Sequence, residues 1–372
     1  MIEKGRISAL QMAVLLYPTV VATAILVLPA TTGEFAKQDM WLSTIWASLF
    51  GYFSVFIAYR LHSYFPQQTM LQYSETIAGT VPGKLIGFGL LFFLIHTNGM
   101  NLRDYGEFVT GNFLQQTPLI VTVASMAFVC AITVRGGLEV VARSSQIFVP
   151  VFIVLFLFIV VLLIPSLNPQ NVSPIMGKGV APSIKGAFIP AQWFNELFLI
   201  SFLLPYLHHK EKGLKWAMLS TALIMITLII TNVFALLLFG NITSSFTYPV
   251  MDAARYISVA DFLQHVEAVV MAIWVTGMFI KISVFFYAIV VGMAQWLQLS
   301  DYRPIVFPMG FLVIIVSMWS APSLQKLSHF SSTTWPFYVL FFLTIIPILL
   351  LLTAMARKKI SLQSSNVERR KS

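Results

Sequence analysis

Apolar residues gather into ten blocks along this chain, at roughly 8–30, 41–62, 83–112, 118–134, 146–164, 185–206, 215–240, 262–292, 304–321 and 335–356, each bounded by polar or proline-rich residues. A bilayer-spanning helix needs about 20 predominantly apolar residues, so the pattern predicts about ten transmembrane helices. The longest intervening polar stretches are 165–184, rich in Pro, Asn and Gly, and 241–261. Ala253 to Leu263 has the character of a short helix lying on the membrane surface. From Lys358 onward the chain is polar and aperiodic, which predicts a disordered tail at 358–372 after a single transmembrane domain at 1–357.

The first block carries Pro18 and Pro29 with a run of small residues between them. Two readings are open: a helix broken around a cavity, or a plain kinked span. The sixth block opens Lys185-Gly186-Ala187-Phe188-Ile189-Pro190-Ala191-Gln192-Trp193-Phe194-Asn195-Glu196 and meets a second proline at Pro205. Ten spans divide into five plus five, and the sixth is then the counterpart of the first. A matched pair of proline-interrupted spans points to a substrate site between inverted repeats.

Composition fixes the class. With 58% hydrophobic and only 10% charged residues, a soluble domain could not hide the apolar surface. With the N-terminus inside, inner segments hold sixteen Lys and Arg and outer ones six, leaving Lys281 within a span. The bias places both termini in the cytoplasm and makes the net charge of +9 mostly topological, which argues against a nucleic-acid partner. A lone cysteine, Cys130, excludes an intrachain disulfide or cysteine metal cluster. No Walker-type motif, metal-binding motif or nucleophile–base pair is readable, so no enzyme, cofactor or metal site is expected.

Ionisable residues inside spans are expensive and are therefore site candidates. Glu196 reads either as a proton-sensitive carboxylate or ligand contact, or as half of a structural pair with a cation on another span; Gln192 shares its helical face. On the eighth span Glu267, Trp274 and Lys281 recur every seven residues, and the two charges sit about 21 Å apart along the axis, too far to pair. Lys281 could occupy a cation site, snorkel, or lock two helices together. Beside it, Thr276 and Gly277 offer a hydroxyl and a gap in the side-chain wall. On the third span His96, Thr97 and Asn98 lie deep, whereas Arg103 and Glu107 make an i,i+4 pair that suits either an outer gate or a solvated helix end.

Several stretches, in this order and spacing, resemble the spore-germination permease family, the integral-membrane B subunits of Ger-type nutrient germinant receptors in the amino acid/polyamine/organocation transporter superfamily. They are Ile7-Ser8-Ala9-Leu10-Gln11, Ile25-Leu26-Val27-Leu28-Pro29, Asn101-Leu102-Arg103, Tyr248-Pro249 through Ala254-Arg255-Tyr256-Ile257 to Phe262 and Glu267, then Trp274 and Phe279-Ile280-Lys281. The resemblance implies an all-α, LeuT-like membrane fold with broken first and sixth helices. It also implies recognition of a small nutrient, typically an amino acid, assembly with A and C subunits, and residence in the inner spore membrane. Carried onto this chain, it assigns the backbone of Ala22, Thr23 and Ala24 to the ligand carboxylate, Asn195 and Glu196 to the sixth-helix wall and Thr276 to the eighth. His96 and Asn98 are added as ligand candidates, and Arg103, Glu267 and Lys281 as coupling or gating residues. Ala22 and Ala24 stand where the family commonly has glycine, and Asn195 where glycine often precedes the glutamate; the two methyls narrow the pocket. The expected function is a nutrient-sensing receptor subunit, with a proton-coupled secondary amino-acid transporter as the alternative.

Overall fold

The computed structural model describes residues 2–257 and 265–357. Every expected block is helical within those limits, and there are no strands among the described residues. The 258–263 part of the expected surface helix and the 358–372 tail lie outside the described residues. The part of that surface helix that is described, Pro249–Tyr256, is helical (α10 below).

Helix α1 (Ala9–Ala36) begins at a capping box: Gln11 N–H donates to Ser8 Oγ at 3.1 Å, and Gln11 Oε1 accepts from Ser8 N–H at 2.8 Å. It then runs through Pro18 and Pro29 without a break. This corrects the expectation of an unwound first helix. Each proline removes one backbone donor, but the segment is buried on all sides between its neighbours, and packing holds it helical. The helix ends where Lys37 takes a left-handed φ of 50°. Helix α2 (Met40–Tyr64) then returns antiparallel to α1.

The register of this hairpin is set by polar contacts to α9 (Gly213–Phe239). Ser220 Oγ donates to the Ala13 carbonyl at 2.8 Å, and Thr32 Oγ1 donates to Asn232 Oδ1 at 3.2 Å, so α1 and α9 ascend together. The Asn232 amide donates to the Met40 carbonyl and to Thr44 Oγ1, while Ser48 reaches Met225, so α2 descends along α9. Thus Ala9–Tyr64, one continuous apolar helical stretch by composition, is two spans.

The remaining helices are α3 (Met70–Ala78), α4 (Thr80–Asn112), α5 (Leu119–Arg135), α6 (Leu138–Leu163), α7 (Ala181–Gly186), α8 (Phe188–Asn195), α10 (Pro249–Tyr256), α11 (Glu267–Trp296), α12 (Val306–Trp319), α13 (Leu324–Thr333) and α14 (Trp335–Leu340). The sixth span is discontinuous as expected. It is α-helical to Asn195, switches to 3₁₀ at Glu196–Phe202, and ends in another short 3₁₀ turn at Leu204–Tyr206. A 3₁₀ run this long is uncommon. The ninth span bends by 95° into α13. After α14 the tenth passes through a π turn at Phe341–Ile345 before continuing to Arg357.

Segment ends sort to two faces. On one, Arg6 donates to the Pro205 carbonyl, Ile7 bridges to Leu207, Lys210 reaches the Pro66 carbonyl, and Trp296 donates to the Lys84 carbonyl. Glu3, buried, ties this face together by accepting from Leu138 N–H at 3.1 Å, Tyr302 O–H at 2.9 Å and Gly5 N–H at 2.6 Å. The opposite face carries Lys37, the 165–186 connection, α10 and α13. Large apolar side chains such as Phe88, Ile147, Val154, Phe311 and Trp319 point outward, as a lipid-facing surface requires.

Candidate functional site

The switch from α to 3₁₀ geometry falls at Glu196, and there the structure builds its most expensive interaction. Lys281 Nζ donates to Glu196 Oε2 at 2.6 Å and to Thr23 Oγ1 at 2.8 Å. Lys281 is fully buried and Glu196 nearly so. One ammonium thus cross-links α1, the broken sixth span and α11, with the Phe285 ring 5.7 Å away on its own helix. Of the alternatives open for Lys281, the helix-locking contact is the one this geometry forms.

Above this cross-link lies a cavity of about 390 Å³, which Thr23 and Glu196 border at its deep end. Asn101 and Asp104 of α4, Gln192 and Trp193 of α8, and Trp274 of α11 wall it. Its lining continues outward to exposed Glu34 and Ser332, on the face opposite the Glu3 clasp. Three buried polar atoms on its wall have no partner: Trp274 Nε1, Asn101 Nδ2 and Gln192 Oε1. Buried polar groups are nearly always satisfied, so these three atoms are free to bond a molecule that enters the cavity, water included.

Of the ligand-binding and coupling residues expected from sequence, Thr23 and Glu196 line the cavity and Lys281 sits directly beneath it. The others do not. The Ala22 methyl packs against Gly277, where an added Cβ would lie 3.1 Å away, and Ala24 is fully buried off the cavity. Because α1 is unbroken, the backbone amides at 22–24 are taken up by helix hydrogen bonds and are not presented to a ligand. Asn195 Oδ1 accepts from Ser54 Oγ at 2.9 Å and Thr344 Oγ1 at 3.1 Å, tying the sixth span to α2 and to the π turn. Thr276 donates back to the Ala272 carbonyl of its own helix at 2.6 Å. His96 packs among Phe92, Phe330, Trp335 and Tyr338, and Asn98 is buried off the cavity with its amide unpaired. Arg103 pairs with Glu107 at 2.6 Å, and Glu267 meets His265 at 3.3 Å at the start of α11.

Sequence reasoning missed Asp104 and Asn101, and it did not give Gln192 or Trp274 a role at a site. A signal existed for the first two. Asn101 and Asp104, three residues apart, share a helical face of the third span.

The model for the family described as spore germination protein matches residues 6–326. The chain belongs to that family. Spore germination protein KB of Bacillus subtilis (strain 168) is 25% identical over 375 residues, covering 99% of this chain and 100% of that one. Spore germination protein XB of Bacillus anthracis is 25% identical over 278 residues, 74% of this chain and 77% of that one. Among solved structures, MhsT in complex with L-phenylalanine superimposes with a TM-score of 0.66 at 12% identity, covering 95% of this chain and 99% of that one. A sodium-coupled sialic acid symporter in an outward-open state gives 0.64 at 10% identity, over 92% and 80%. This germination-family member is therefore an integral membrane protein with a LeuT-like transporter fold.

Proposed function

We propose that this chain is the nutrient-sensing subunit of a spore germinant receptor, in which a small ligand, typically an amino acid, binds the cavity and a conformational change passes to A and C partner subunits. The observation that carries this reading is the position of the Lys281–Glu196–Thr23 cross-link at the cavity's inner end. A ligand seated above it bears directly on the junction of the first, sixth and eighth spans. Binding shifts the protein only as far as the ligand prefers one arrangement of those spans over another, and about 5.5 kcal/mol of preference takes a two-state switch from 1:99 to 99:1. Basic residues gather on the Glu3-clasp face, which supports an orientation with both termini toward the spore core and the cavity open to the other side.

The buried ion pair between repeats also suits a second reading, a proton-coupled amino-acid transporter. Two measurements separate them. Ligand-induced thermal stabilisation of the purified protein, without accumulation of that ligand by proteoliposomes under a proton gradient, supports the sensor. Accumulation that follows the gradient overturns it in favour of the transporter.

A further inference from the structure

The charges of the cavity do not balance. Its lining holds three carboxylates, Glu34, Asp104 and Glu196, and no lysine, arginine or histidine. Lys281 beneath it is already committed to Glu196 and Thr23. Neighbouring Arg103 is turned away, bound to Glu107 through both Nε and a terminal nitrogen at 2.6–2.8 Å. Asp104 has no hydrogen-bond or ion-pair partner among the described residues, and it faces the cavity. Glu34 adds a second negative charge at the mouth.

Beside this carboxylate stand the unpartnered atoms already noted, all on side chains more than nine-tenths buried: Trp274 and Asn101 offer donors, Gln192 an acceptor. The indole side chains of Trp193, Trp274 and Trp335 complete the wall. The carboxylate and the amide oxygen both favour a cation. The two donors accommodate a carboxylate or hydroxyl on the same ligand. A neutral sugar leaves Asp104 uncompensated and an anion is repelled; a simple zwitterion can place its ammonium on Asp104 but, being neutral overall, leaves the cavity's excess negative charge, with Glu34 at the mouth, unbalanced.

We propose that the cavity is selective for a small amine of net positive charge, the class of basic amino acids and their decarboxylated amines, with Asp104 as its charge anchor. This rests on the ligand-binding reading above and narrows it.

The test is equilibrium binding to the purified full chain, read by thermal stabilisation, with L-arginine, agmatine, L-leucine, glucose and L-glutamate as probes. The expected result is binding by arginine or agmatine above the other three. Asp104→Asn should weaken it at least tenfold, and Asp104→Glu, which keeps the charge, should retain most of it. An unliganded melting temperature close to wild type in either variant shows that the fold survives. A neutral or anionic probe that binds best, and binds Asp104→Asn as well as wild type, overturns the cation assignment and leaves the sensor reading standing. Failure of every probe to bind overturns the cation assignment, and extension of that failure to a broad nutrient panel overturns the sensor reading too.

Discussion

Replacing Lys281 by methionine removes the cation that joins three spans while nearly preserving side-chain length. At 2.6 Å and an effective dielectric of about 20, the Glu196–Lys281 attraction amounts to about 6 kcal/mol before desolvation is subtracted. Because both charges are buried, most of that is offset in the intact pair, and the cost appears when one partner is left alone, typically about 3–5 kcal/mol. The two single variants should differ. Lys281→Met leaves Glu196 on the cavity wall, where it can be solvated, and belongs at the low end. Glu196→Gln strands an ammonium that is 0% exposed, leaving it Thr23, a neutral amide and the Phe285 ring in place of a direct counter-charge, and belongs at the high end. The double variant should be more stable than the sum of the singles by about 2 kcal/mol or more. Thermal unfolding in detergent reads this as losses of about 4–6 °C for the singles. A Lys281→Met protein within about 0.5 kcal/mol of wild type, or singles that simply add, would refute the cross-link.

Three further outcomes follow from contacts elsewhere. Gly277→Val should destabilise by about 2 kcal/mol or more, because a Cβ there already meets Ala22 and Phe152 at 3.1 Å at the α1–α11 crossing; a neutral effect in thermal unfolding would mean that the crossing is loose. Asn195→Ala should cost about 1–3 kcal/mol by leaving Ser54 and Thr344 without their acceptor, with unfolding temperature again the readout. Glu3→Gln weakens the clasp at Tyr302 and Leu138 and should cost about 1–3 kcal/mol, read as a lower unfolding temperature; an unchanged temperature would mean that the clasp does not hold this face together.

The membrane class, the ten blocks and the discontinuity of the sixth span were all legible, because each depends on local composition: long apolar runs, and prolines next to Gln192, Asn195 and Glu196. The continuity of α1 was not. Pro18 and Pro29 predict a break from local chemistry, and only the burial supplied by distant helices restores the helix. Pairing was likewise hidden. Glu196 and Lys281 were each recognisable as costly, but 85 residues separate them and nothing local names one as the other's partner. On the third span the deep positions drew attention, yet His96 and Asn98 lie about a quarter-turn or more from the centre of the stripe of Met100, Asn101 and Asp104 that meets the cavity. Asp104 was obscured by its neighbours, since Arg103 and Glu107 make the segment read as an ordinary charged helix end. Asn195 and Thr276 are polar at depth for structural reasons, satisfying other helices and their own backbone.

The claim on which the account turns is that a nutrient binds between α1, α4, the sixth span and α11. Ala30 lines that cavity without taking part in its polar contacts, so Ala30→Trp fills the space and leaves Thr23, Asp104, Glu196 and Lys281 in place. The most direct measurement is the affinity of a stabilising ligand for wild type and for Ala30→Trp, at matched unliganded melting temperatures. The account predicts loss of at least tenfold in the filled variant. Unchanged affinity would contradict it and move the ligand out of the cavity.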